Sequence, residues 1–156
     1  MNKPKVLFLC TGNSARSQMA EAFLRAYAGE YFDVYSAGLK PKGHILPEVL
    51  AVMQERGLDM DGQTSKSVSE YLGKSIFAHT ITVCGDAEEN CPMVFLSMGK
   101  HEHWPFDDPA AFDGTASEKL EFTRNVRDQL DQRVHQWLKE QNIQPALSEP
   151  KRPELD

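Results

Sequence analysis

The stretch LFLCTGNSARSQM, Leu7 to Met19, decides how this chain is read: an apolar run ends in a cysteine, a polar turn follows, and an arginine stands six positions past the thiol. Lys5 to Cys10 is rich enough in Val, Leu and Phe to be a strand buried on both faces. From about Ser14 to Tyr27, the residues Met19, Ala22, Phe23, Ala26 and Tyr27 recur at helical spacing and give one apolar face. Gly12 allows the backbone a tight turn between the two elements. In such a strand-turn-helix unit several amide N–H groups converge on one point, which makes it an oxyanion site.

The chemistry follows from the junction. A thiol at a helix N-terminus beside a guanidinium has its pKa lowered from ~8.5 into the range ~3.5 to 7.5, because both neighbours favour the anion. Cys10 is therefore expected to be a thiolate near neutral pH. Arg16 supplies a planar fork able to hold two oxygens of a tetrahedral oxyanion, a geometry that lysine does not match. Ser17 is placed to donate to the thiolate, and Asn13 to fix the turn through side-chain bonds to backbone. A Cys-x5-Arg spacing alone is a weak signal, and the blander readings are a small buried hydrophobe for Cys10 and a solvated helix charge for Arg16. The surrounding turn weighs against both.

Working outward, Phe32 to Ser36 alternates as a second strand, and AGLKPKGH supplies the glycine and proline of a loop. Pro47 suits the first turn of a helix reaching about Arg56, and Ser67 to Leu72 suits a shorter one. His79 to Cys84 is brief and β-branched and reads as a third strand, with Lys100 to Trp104 as a fourth. Ser117 to about Lys139 closes the fold as a long helix whose stripe is Phe122, Val126, Leu130, Val134 and Leu138, with Trp137 in the core. Strands alternating with helices imply a parallel sheet that binds its ligand at the carboxyl ends of the strands, where Cys10 and Cys84 are both expected. The organisation read from this pattern is one domain over residues 1–139 and a polar, proline-bearing, mobile tail over 140–156.

Composition narrows the function. A chain of 156 residues can bury one proper core, and a net charge of −6 argues against a general polyanion-binding surface, so nucleic acid is not an expected partner. The longest apolar run, VLFLC, is too short to span a bilayer or to serve as the core of a secretion signal. Three cysteines leave one thiol over from any internal pairing, which fits a reducing, cytoplasmic setting better than a disulfide framework.

Cys84 and Cys91 lie eight residues apart inclusive, joined by the short polar segment GDAEEN, which can bend to bring the thiols together. Two unrelated thiols, or a zinc site lacking an evident fourth ligand, are the other readings. Glu88 and Glu89 read as a solvated acidic loop that would raise both thiol pKa values. His101 and His103 project to one side of a strand and read as polar strand residues, with no evident third ligand for a metal.

VLFLCTGNSARSQMAEAF resembles the active-site loop and first helix of the low-molecular-weight protein tyrosine phosphatase superfamily, most closely its thioredoxin-coupled arsenate reductase branch. VYSAG, VCGDAEENCP and EHWPFDDPA follow in the matching order, and the likeness covers about Lys5 to Lys139. The resemblance implies a flavodoxin-like three-layer α/β sandwich with a four-stranded parallel sheet. It further implies that Cys10 is the nucleophile in an oxyanion loop of Thr11, Gly12, Asn13, Ser14, Ala15, Arg16 and Ser17, and that Asp108, directly before Pro109, is the general acid rather than Asp107. A residue before proline is held extended, which suits a carboxyl suspended over an anion pocket. Cys84 and Cys91 would complete a three-thiol relay reducing arsenate to arsenite, regenerated by thioredoxin, with residual phosphatase activity and with phosphate or sulfate as substrate analogues. The alternative is a phosphatase acting on phosphotyrosine or a small phosphate ester; a third reading is a redox-sensing or anion-binding protein without turnover. Against the phosphatase, Gln18 stands where a proline is common in the small phosphatases, and Ala110 and Ala111 where aromatics are. Ala15 replaces a cysteine of many reductase relatives that is not a relay thiol. Lys66 stands where one branch has an acidic ligand of a monovalent cation site with the counterparts of Asn13, Glu21 and Ser36, which puts potassium binding in doubt. No tightly bound cofactor is expected.

Overall fold

The computed structural model describes residues 3–92, 95 and 98–146. Four strands, β1 (Lys5–Cys10), β2 (Asp33–Gly38), β3 (His79–Thr82) and β4 (Lys100–His103), form one parallel sheet in the order β2-β1-β3-β4. Four helices accompany them among the described residues: α1 (Arg16–Ala28), α2 (Pro47–Gln54), α3 (Gly85–Glu89) and α4 (Ala116–Glu140). This is the expected α/β sandwich.

Register and alternation sort the side chains. Val6, Phe8, Val34, Ser36, His79, Ile81 and Glu102 are partners across the ladders and share one face. Against it stands α4, whose Trp137 meets His79 edge-on at 4.9 Å and donates to Glu102 at 2.7 Å. The opposite face carries Tyr35, Thr80, Thr82, His101 and His103, with Phe77 and Tyr71 packed on Tyr35 and α3 reaching Thr82. Burial on both faces is why β1 reads as an unbroken apolar run: Val6 to Leu9 have no exposed surface.

Several boundaries shift. α1 begins at Arg16, leaving Ser14 and Ala15 in the loop; β2 runs on to Gly38; α2 ends at Gln54; and Val68–Glu70 is a single 3-10 turn. β3 stops at Thr82, so Cys84 is not a strand end but the N-cap of α3, its sulfur accepting the Ala87 amide at 3.4 Å. The final helix is Ala116–Glu140, opened by a capping box between Thr115 and Glu118. Past it, Ile143 packs on the core and the Ala146 amide donates to the Tyr27 carbonyl at 2.8 Å, so the chain stays attached beyond residue 140. The rest of the expected tail, 147–156, lies outside the described residues. Among the described residues no helix is long and apolar enough to cross a membrane.

Candidate active site

The site lies where the strand order reverses, at the carboxyl ends of β1 and β3. Cys10 ends β1 and is 2 % exposed. Its sulfur accepts the Asn13 amide at 3.1 Å and lies 2.8 Å from the Ser17 hydroxyl. The turn between them depends on Asn13 rather than Gly12: Asn13 takes φ 48°, a left-handed conformation that asparagine tolerates better than most residues. Gly12 serves another need, because a Cβ there would meet the Lys42 stem at 3.2 Å. Gly38 at the end of β2 is also required to be small, since a Cβ would come within 2.6 Å of the Thr11 carbonyl.

A chain of buried hydrogen bonds fixes the loop. Gln18 Nε2 and the Lys66 amide both donate to Asn13 Oδ1, at 2.9 Å each, which directs Asn13 Nδ2 toward the Ser17 and Ser36 hydroxyls at 2.8 and 3.0 Å. With its oxygen accepting from Asn13, Ser17 is left to donate its proton to the Cys10 sulfur. Ser36 in turn donates to Glu21 at 2.5 Å. Gln18, noted in the sequence only as a departure from proline, also donates to the Asn13 and Thr64 carbonyls and accepts from Gln63. Its only signal in the sequence is its place, on the helical turn nearest the thiol; that it has no exposed surface is decided by the fold.

The expected acidity of Cys10 is corrected. Burial pushes its thiol above the ordinary value, and the Ser17 hydroxyl, the Arg16 guanidinium and the Asn13 amide pull it back only in part. The sequence shows the groups that favour the anion but not the depth at which the sulfur is buried.

Arg16 opens α1, a helix whose N-cap, Ala15, supplies no side-chain acceptor to the first-turn amides. Its guanidinium donates to the Phe106 carbonyl at 3.0 Å and lies 3.3 Å from Asp108 Oδ2. Asp108 has the extended backbone expected before proline (φ −92°, ψ 110°) and accepts the Ala110 amide at 3.0 Å, while Asp107 is exposed. Thr11, Gly12, Ser14 and Ala15 complete the loop between β1 and α1.

The second thiol abuts this loop. Thr11 Oγ1 lies 3.3 Å from the Cys84 sulfur and donates to Asp86 Oδ2 at 2.9 Å. Cys91, two residues past α3, is buried, and its sulfur lies 3.8 Å from the Pro92 carbonyl. All three thiols are free. Glu88 is not a solvated loop residue: it is engaged with His101 and His103, so these two histidines are also more than polar strand residues. Glu89 is exposed.

At the expected cation position the Lys66 ammonium lies 3.4 Å from the Ser36 hydroxyl and 3.8 Å from Glu21 Oε1, and it donates to the Thr64 carbonyl. Burial lowers its pKa, and the charge of Glu21 opposes that shift.

The model of the low molecular weight phosphotyrosine protein phosphatases matches residues 5–147. The chain belongs to that family. Within it, the likeness is to arsenate reductases. The arsenate reductase of Bacillus licheniformis is 42% identical over 137 residues, 88% of this chain and 96% of that protein. A solved arsenate reductase in the phosphate-binding state superposes with a TM-score of 0.74 at 32% identity, covering 88% of this chain and 98% of its own. A thioredoxin-dependent arsenate reductase of Corynebacterium glutamicum gives a TM-score of 0.67 at 30% identity, over 89% of this chain and 62% of its own.

Proposed function

We propose that the protein reduces arsenate to arsenite through Cys10, Cys84 and Cys91 and is regenerated by thioredoxin. The observation that carries this reading is the placement of Cys84, whose sulfur is 3.3 Å from Thr11 of the loop that begins directly after Cys10. A hydrolytic enzyme on this loop has no use for a second thiol there.

Cys10 thiolate attacks arsenic and displaces hydroxide, which leaves as water with a proton from Asp108. Arg16 and the loop amides hold the oxyanion as charge develops. Cys84 thiolate then attacks the Cys10 sulfur. The sulfur–arsenic bond breaks with its electron pair going to arsenic, so arsenite leaves and a Cys10–Cys84 disulfide remains. Cys91 attacks Cys84, freeing Cys10, and the Cys84–Cys91 disulfide is reduced by thioredoxin. That donor is supported by the likeness to the Corynebacterium glutamicum enzyme, which is thioredoxin-dependent. Phosphate shares the shape and charge of arsenate, so weak phosphate-ester hydrolysis accompanies the main reaction. In this reading no tightly bound cofactor is required, Lys66 fills the role of a monovalent cation, and three free thiols fit a reducing, cytoplasmic setting.

The test is arsenate-dependent NADPH consumption with thioredoxin and thioredoxin reductase. Wild type turns over repeatedly, whereas Cys84→Ser and Cys91→Ser lose turnover yet still hydrolyse p-nitrophenyl phosphate. Brisk ester hydrolysis with no arsenate-dependent NADPH loss would assign the protein to the phosphatases instead.

A further inference from the structure

Helix α3, which lies between Cys84 and Cys91, has two tethers of different kinds. At its start Asp86 is bound by Thr11 of the active-site loop. At its end the Glu88 carboxylate reaches the sheet: Oε1 lies 2.5 Å from His101 Nε2, while Oε2 lies 3.6 Å from His103 Nδ1 and 3.4 Å from the Thr82 hydroxyl. Thr82 Oγ1 and His103 Nδ1 are themselves 2.8 Å apart, closing the cluster. Both histidines stand on the α3 face of β4, and all three side chains are partly buried: Glu88 is 32% exposed, His101 24% and His103 29%.

This contact bears on the relay proposed above, on which the following inference rests. Helix α3 fills five of the six residues between the cysteines, and a helical path rises about 1.5 Å per residue, so its end Cα atoms alone lie roughly 6 Å apart, most of the about 4.4–6.8 Å Cα span of a disulfide before Asn90 and the cysteines are added. Joining Cys84 to Cys91 therefore requires the segment to unwind or fold back, and Glu88 moves with it. Burial, and after it the charge of Glu88, pushes the Cys91 thiol up to about 11, so Cys91 is protonated near neutral pH in the reduced form.

We propose that Glu88 is a positioning residue: clasped by His101 and His103 of β4 and Thr82 of β3, it holds the Cys84–Cys91 segment in its reduced, helical placement, and opening of that clasp accompanies formation of the Cys84–Cys91 disulfide. In that step the Cys91 sulfur, having given up its proton, attacks the Cys84 sulfur of the Cys10–Cys84 disulfide. One S–S bond forms as another breaks, Cys10 leaves as thiolate and takes up the proton, and no net electrons are exchanged.

The experiment is a dithiothreitol redox equilibrium on the full chain carrying Cys10→Ser, with the Cys84–Cys91 disulfide quantified by alkylation and mass. Glu88→Ala raises the disulfide-to-dithiol ratio about tenfold, a potential about 30 mV more negative, because only the reduced form loses the clasp. Glu88→Gln, which keeps an acceptor, shifts the ratio less. His101→Ala shifts it in the same direction, and the double variant adds nothing further. The same ratio in wild type, Glu88→Ala and His101→Ala overturns the clasp. Failure of the relay shows separately, as absence of a Cys84–Cys91 disulfide after arsenate is added to the protein with all three thiols, whereas the dithiothreitol equilibrium involves no arsenate.

Discussion

Cys10 is held between opposing influences, and their balance sets a pH dependence. Burial raises its thiol pKa, so the attack proposed for Cys10 is expected to accelerate as pH rises. The Ser17 hydroxyl, 2.8 Å from the sulfur, opposes burial. Removing it with Ser17→Ala destabilises the thiolate, moves the pH–rate profile of a single arsenate turnover to higher pH, and slows the neutral rate by about tenfold, as expected for a lost hydrogen bond to a charged group. A profile that coincides with wild type would show that Ser17 is not the thiolate's donor. Lys66 sets a second prediction at this scale. Its ammonium stands beside Glu21, Ser36 and Thr64, so initial rates and melting temperature are the same in potassium and in a buffer free of it. In Lys66→Met the buried Glu21 carboxylate loses this cation and keeps Arg25, so the melting temperature falls.

Elements are joined through a few buried charges. Arg56, just past α2, pairs with Asp131 and Asp128 of α4, and Asp131 also accepts the Tyr27 hydroxyl of α1 at 2.6 Å. Arg127 of α4 donates to the Val52 carbonyl and to Glu55, pinning the same two helices. Asp131→Ala leaves Arg56 buried with only the half-exposed Asp128, and costs about 3 kcal/mol, the lower end for a buried pair that loses one partner. Urea unfolding with an unchanged slope and a lowered midpoint checks this. Element boundaries divide by cause. The periodic stripe of α4 is legible in the sequence because burial writes it: Val126, Leu130, Val134 and Leu138 are all inside. The short α3 is not, because five polar-rich residues carry no stripe, and their helix depends on the Cys84 cap and on contacts from β4 and the loop.

Across the whole molecule, the strand-helix alternation and the apolar run of β1 determined a parallel α/β sandwich, and the order of four motifs determined the family and the positions of Cys10, Arg16 and Asp108. Those inferences rest on local pattern, which a sequence carries directly. What only the tertiary structure decided is what meets across the fold. The strand pattern already puts Cys84 at the same end of the sheet as Cys10, and the pairing of β3 with β1 is what brings it to Thr11, 73 residues away in the chain. Gln18 becomes the bolt of the loop through Thr64 and Gln63. Glu88 meets His101 and His103 because β4 lies beside β3. The depth that raises the Cys10 thiol belongs to the same class. Desolvation is the sum of everything packed around an atom, and no spacing along the chain records it.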